Sequence, residues 1–264
     1  MARHAAVTQG RTGVGWLRGL LPVALAAVAF VVGWRLLVLV GGYPTYLLPA
    51  PETVFERLVR AWAEGTMAPH FAATMSEIAA GFVVGAVAAV LIGYLLARSP
   101  LAEKLLSPYL VAAQATPILA LAPLLVLWFG TGLASKVLIC ALIVFFPVAV
   151  ATMVGIRSVD GRLLELGRSL RASRRQVFRH LELPAALPSI LGGMRVGVTL
   201  AVIGAIVAEW AGADRGLGVL INLARGSLFD TPLMFAALLT IAGIGVALYV
   251  GVLLVERRLV GRWR

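Results

Sequence analysis

The sequence predicts an all-α protein, a polytopic membrane bundle of about six transmembrane helices, and three observations carry that expectation. Of 264 residues, 61% are hydrophobic and 13% charged, where a soluble domain carries about 25% charged residues. Six apolar stretches approach the roughly 20 helical residues that cross a hydrocarbon layer of about 30 Å. The basic residues gather in alternate connections between those stretches, the asymmetry that orients membrane helices.

Residues 1–19 read as a basic N-terminal tail holding Arg3, Arg11 and Arg18. The first span, 20–40, runs from Leu20 to Val40 and is broken only by Arg35. It exceeds the roughly 7–15 apolar residues of a signal peptide, and no clean cleavage site follows, so it reads as uncleaved. Residues 41–77 form an outer loop too long for a hairpin. Within it Pro51 and Glu52 open an amphipathic helix with Val54, Phe55, Leu58, Val59 and Trp62 on one face, placed on the membrane surface or against the bundle. A core of five spans follows over 78–256: Ile78–Ala97, Tyr109–Phe129, Val137–Gly155, Ile190–Ala208 and Leu233–Val255. Backbone groups in lipid find partners only within their own segment, so each is read as helix. An inner connection at 157–188 interrupts this core, and 257–264 is a second basic tail.

With the N-terminus inside, the inner segments hold Arg3, Arg11, Arg18, Arg98, Lys104, the seven arginines from Arg157 to Arg179, Arg257, Arg258, Arg262 and Arg264, which is sixteen of the 23 basic residues. The outer loops hold Arg57, Arg60, Lys136, Arg215 and Arg225, offset by acidic neighbours. Both termini are therefore expected in the cytoplasm. The same distribution accounts for the net charge of +11 without a nucleic-acid partner, since the charges follow the topology rather than a phosphate-binding groove.

Three spans carry small residues every four positions: Gly81, Gly85, Ala89, Gly93; Gly193, Gly197, Ala201, Ala205; and Gly243, Ala247, Gly251. Each makes a smooth face that lets backbones approach, either within the chain or at a subunit interface. Pro117 and Pro123 are expected to kink the third span, and Pro147 the fourth. Arg195 and Glu209 lie about 21 Å apart on the fifth, too far to pair, and read as anchors at its two ends. Gln114 and Thr116, beside Pro117, are polar groups deep in the third span. They either bond a neighbouring helix or line a solute's route, with Trp128 and Phe129 as an apolar gate at the outer end.

Nothing in the sequence calls for enzyme chemistry, a cofactor or a metal. His4, His70 and His180 are scattered, Cys140 is the single cysteine, and no ligand spacing or nucleophile–base pair is present. A phosphate loop of the G-x-x-x-x-G-K-[ST] type is absent too. No carboxylate sits near mid-membrane, as a proton- or sodium-driven carrier requires.

The inner connection stands out. Leu163, Leu166 and Leu170 fall at i, i+3 and i+7 of one short amphipathic helix, and Ser173 is placed to cap a second with Val177, Phe178 and Leu181 on its apolar face. Such a pair suits docking into a partner's groove or resting on anionic headgroups. Glu165-Leu-Gly167, Arg171-Ala172 and Leu183-Pro184 resemble the EAA loop of permease subunits of binding-protein-dependent ABC importers. Arg171 stands where that family's glycine is expected, and Leu166 replaces its first alanine. Tyr46-Leu-Leu-Pro49-Ala-Pro51, Pro123 to Gly132 and Glu209-Trp-Ala-Gly-Ala-Asp-Arg-Gly216-Leu-Gly218 are similar to the sulfonate, taurine and nitrate branch. The stretch Trp128 to Asp160 also resembles permeases of riboflavin and pyrimidine vitamin precursors.

The resemblance implies a type I ABC importer permease in a bacterial inner membrane. It also implies a homodimeric pore, a cytoplasmic P-loop ATPase and an extracytoplasmic solute-binding protein. It assigns ATPase coupling to Glu165, Gly167, Arg168, Leu170, Arg171 and Ala172. The implied solute is small and organic, first riboflavin or a pyrimidine-type precursor, then a sulfonate, taurine or nitrate. An ATP-independent channel or carrier is the alternative from another class.

Overall fold

The computed structural model describes residues 14–261, with side chains from Leu21 onward. Arg3, Arg11, Arg262 and Arg264, expected in the tails, lie outside the described residues. Eleven α-helices follow in order: α1 (Val14–Gly41), α2 (Pro51–Ala63), α3 (Met67–Arg98), α4 (Pro100–Ala115), α5 (Ile118–Phe129), α6 (Leu133–Arg157), α7 (Gly161–Ser169), α8 (Arg174–Val177), α9 (Leu183–Ala211), α10 (Leu217–Gly226) and α11 (Thr231–Val260). A π-helical turn at Phe178–Glu182 joins α8 to α9, so that 174–211 runs on as one long apolar helix. Among the described residues five helices are long and apolar enough to cross a membrane, or six if α4 and α5 count as one broken span.

The core is a layer of three helices with α6 between α3 and α9. Its glycines work by omission. A Cβ added at Gly81 would strike that of Cys140, one at Gly85 would lie 2.6 Å from the carbonyl oxygen of Ala141, and one at Gly93 2.6 Å from that of Ala149. On the other side of α6, a Cβ at Gly193 would lie 2.5 Å from the Cβ of Ala151. Two of the three small-residue stripes thus let α3 and α9 close on α6, and Cys140, Val144 and Val148 are wholly buried between them. The third stripe differs: nothing lies within 4 Å of a Cβ added at Gly243 or Gly251.

The third expected span, Tyr109–Phe129, is corrected. The chain is helical from Pro100 to Ala115, breaks, and resumes at Ile118 with its axis turned by 98°. A residue before proline is pushed out of the α region by the proline ring, and Thr116 is extended, with ψ of 123°. Pro117, which has no N–H, caps α5. The Thr116 hydroxyl turns back to donate to the Ala112 carbonyl at 3.0 Å. Pro123 and Pro147 stay within their helices.

The amphipathic helix α2 packs on the bundle through Val54 and Ala61, with Phe55, Val59 and Trp62 turned outward. Its Arg57 pairs with Asp230 at 2.7 Å. Arg195, read as an anchor at one end of the fifth span, pairs with Glu256 at 2.9 Å beside the Tyr249 ring, tying α9 to α11.

Candidate functional site

The inner connection is built by local capping. Asp160 accepts from the Arg162 N–H at 2.9 Å and starts α7. At its other end the Ala172 N–H reaches the Gly167 carbonyl and the Arg171 N–H the Arg168 carbonyl, both at 2.9 Å. That pair of bonds is the Schellman ending, which needs a left-handed residue just past the helix, and Arg171 takes that conformation at φ 52°. The motif's glycine position is thus a glycine-like backbone occupied by arginine. Gly167 is buried, because a Cβ there would already touch Leu181 at 3.5 Å and Val177 at 3.7 Å. Ser173 caps α8 as the sequence predicts, in a capping box with Gln176.

With Gly167 turned inward, Leu163, Leu166 and Leu170 are left 46%, 55% and 73% exposed. Glu165, Arg168 and Arg171 are exposed around them, and Ala172 is half-buried. The connection is fastened to α3 at two places: Glu182, buried in the π-helical turn, pairs with Arg98 at 2.5 Å, and Phe178 meets Tyr94 edge-on at 5.2 Å. At its start Arg157, the last residue of α6, grips Glu103 of α4 at 2.6 and 2.9 Å. A cleft of about 590 Å³ between connection and core is lined by Tyr94, Arg98, Leu164, Arg168, Arg174 and Val177.

The four residues placed on a solute route are not brought together. Gln114 borders two cavities beside α6, of about 200 and 620 Å³, the larger lined also by Pro147, Val150, Gly193 and Val196. Thr116 is engaged by its own helix. Trp128 and Phe129 end α5, beyond the bend, and are exposed.

At the opposite end lies a polar cluster that the sequence reading missed. Glu209, read as an anchor, is 2% exposed. Its Oε1 accepts from the Thr74 hydroxyl at 2.5 Å and its Oε2 from the Gly218 N–H at 2.5 Å. The Thr74 oxygen accepts in turn from the Leu217 N–H at 2.8 Å, and His70 Nδ1 from that of Gly216 at 3.1 Å. Glu77, which hydropathy assigns to the outer loop, belongs to α3, is buried, and adjoins Glu209. Lys136 is buried in the first turn of α6, where its ammonium donates to the carbonyls of Thr131 and Gly132. One signal was available: Glu77 sits four residues before Gly81, in line with the stripe that packs on α6.

Residues 81–261 match the family described as "Binding-protein-dependent transport system inner membrane component". The chain belongs to this family. It is 46% identical over 243 residues to the riboflavin transport system permease protein RibX of Chloroflexus aurantiacus, covering 92% of this chain and 89% of that one. Identity is 37% to the formylaminopyrimidine transport permease protein ThiX of Halalkalibacterium halodurans, over 86% of this chain and 89% of that one. It is 33% to the taurine transport system permease protein TauC of Escherichia coli, over 90% and 88%. The fold is that of the MetNI methionine ABC transporter in an inward-facing form, with a TM-score of 0.64 at 17% identity over 77% of this chain and 96% of that one. The protein is thus a multi-pass inner-membrane permease of the ABC importer type.

Proposed function

We propose that two copies of this permease form a solute pore, with the connection 157–188 and both termini in the cytoplasm. There α7 docks on a P-loop ATPase, and the opposite end receives solute from a binding protein. The observation that carries this reading is the stripe Leu163, Leu166, Leu170. It is exposed, although each leucine fully buried contributes about 1.5–3 kcal/mol. It sits on an element capped at both ends and packed through Gly167 on Val177 and Leu181, beside Phe178 and Glu182, which hold the connection to α3. Motion imposed on α7 passes through the capped turn 170–173 and the π-helical turn into α9. ATP moves the pore by binding one state better than the other.

Glu165 and Arg168 supply charge-assisted bonds that fix the docked register, flanked by Leu170, Arg171 and Ala172. Gln114 faces the pore or its dimer axis, and Trp128 and Phe129 close its outer end. The solute is a neutral heterocycle of the riboflavin or pyrimidine-precursor kind. Support for this comes from the 46% identity, over 92% of the chain, to a protein named for riboflavin transport. The test is co-purification. In mild detergent the tagged permease is expected to bring down its ATPase, and Leu166→Asp to lose it while still inserting. Retention of the ATPase by Leu166→Asp would remove α7 as the docking element.

A further inference from the structure

We propose that the pocket at the end opposite α7, floored by Glu77 and Lys136 and rimmed by Asp214 and Arg215, is a recognition station. It would take solutes that present an N–H donor beside an acceptor, the carbonyl of a lactam or imide or the ring nitrogen of an aminopyrimidine. The inference rests on the heterocycle reading above and gives that solute class a place on the protein.

Glu77 carries the argument. It is 3% exposed, and its Oε2 has no hydrogen-bond partner among the described residues. Its neighbour Glu209 differs, with Thr74 and Gly218 engaging both oxygens. A carboxyl oxygen withdrawn from water without a donor costs free energy, and the cost is offset when a donor arrives. The space above it is lined by Ser76, Glu77, Thr131, Lys136, Asp214 and Arg215 and measures about 370 Å³, within the range of small-molecule sites.

The chemistry of the lining selects the solute. Glu77 offers an acceptor, and Lys136 and Arg215 offer donors. A neutral edge with N–H next to C=O satisfies both together. The opposed signs of Asp214 and Arg215 on the rim leave little net field to draw a bare cation or anion. The pocket also adjoins the proposed gate, because Thr131 and Gly132 in its wall follow Phe129 after Gly130.

The experiment uses the permease–ATPase complex without binding protein, titrated with riboflavin and read by the quenching of riboflavin fluorescence. Uptake of riboflavin, formylaminopyrimidine and taurine is measured beside it in proteoliposomes containing the full system. Glu77→Gln is expected to raise the dissociation constant for riboflavin about tenfold to a hundredfold, the loss of one charge-assisted hydrogen bond. Glu77→Asp should recover part of that loss. Arg215→Gln, at an exposed position that does not bear on folding, should raise the constant by a smaller factor, and it decides the matter if Glu77→Gln fails to assemble. Uptake of riboflavin or formylaminopyrimidine without binding by the complex, or with binding equal in all variants, overturns the pocket and leaves the solute reading intact. Uptake of taurine alone overturns the solute reading, and the pocket with it.

Discussion

The α3–α6–α9 core and the segment α4–α5 are equally apolar in sequence and opposite in structure. In the core, glycine and alanine bring helices into backbone contact, and Ile139, Cys140, Val144 and Val148 of α6 are sealed from any solvent. Helix α4 has no buried residue, α5 buries only Ala122 and Leu125, and between them the chain turns through 98°. Hydropathy measures compatibility with lipid and is blind to whether a neighbour is lipid, another helix of the chain or a second chain. Small residues in register carry the missing information. On α3 and α9 they mark where the chain packs on itself; on α11 the same spacing faces open space at Gly243 and Gly251, and α4–α5, which lacks it, leaves Gln114 and the bend available to other partners.

The largest effect is expected from disturbing the packed side. Gly85→Leu drives its side chain into the backbone of Ala141, and overpacking of a core commonly costs about 1–3 kcal/mol, occasionally more. Gly243→Leu enters open space and should change monomer stability by less than about 0.5 kcal/mol. Thermal midpoints of the two variants in detergent check the contrast. Equal losses would mean that the glycine stripes do not distinguish packed from open faces.

The coupling connection is the second lever. Glu165→Lys inverts one charge on an exposed face and leaves the caps of α7 untouched, so insertion should be normal. Uptake is expected to fall on the order of tenfold, the loss of a charge-assisted bond, while ATP hydrolysis persists, as measured side by side in proteoliposomes. The unpacked segment gives a third, smaller effect. Gln114→Cys in a Cys140→Ser background should react with a small water-soluble thiol reagent and be protected by solute-loaded binding protein or nucleotide. No labelling in any state would place Gln114 in a dry helix contact and take it off the route.

Five of the six expected spans were legible because hydropathy is a local property, and so was the Ser173 cap of α8. The break at Thr116–Pro117 was not. Pro117, Pro123 and Pro147 look alike in sequence, yet only the first ends a helix, and the outcome depends on what packs alongside. The cluster of Glu77, Glu209 and Lys136 was lost for another reason. A hydropathy window starts a span at the first apolar run and so cut α3 eleven residues short, leaving Thr74 and Glu77 in a loop. The bonds from Thr74 to Leu217 and from His70 to Gly216 join residues more than 140 apart, a separation no periodicity reports.

The smallest effect belongs to Arg171, and it separates local geometry from docking. In the left-handed region an L residue pays roughly 1–2 kcal/mol that glycine does not, while glycine gives up part of this gain through the greater freedom of the unfolded chain. Arg171→Gly should therefore hold the Schellman ending of α7 as well as the parent, or better by under about 1 kcal/mol. Hydrogen exchange at the Ala172 amide, which bonds the Gly167 carbonyl, should be equal or slower. The guanidinium is lost in the same step. If ATPase co-purification weakens while the amide stays protected, the side chain is itself a docking contact, and arginine occupies a glycine position for the sake of its charge. If co-purification is unchanged, the backbone conformation alone is what the partner requires, and Arg171→Val, β-branched and unsuited to positive φ, should then weaken it by loosening the end of α7.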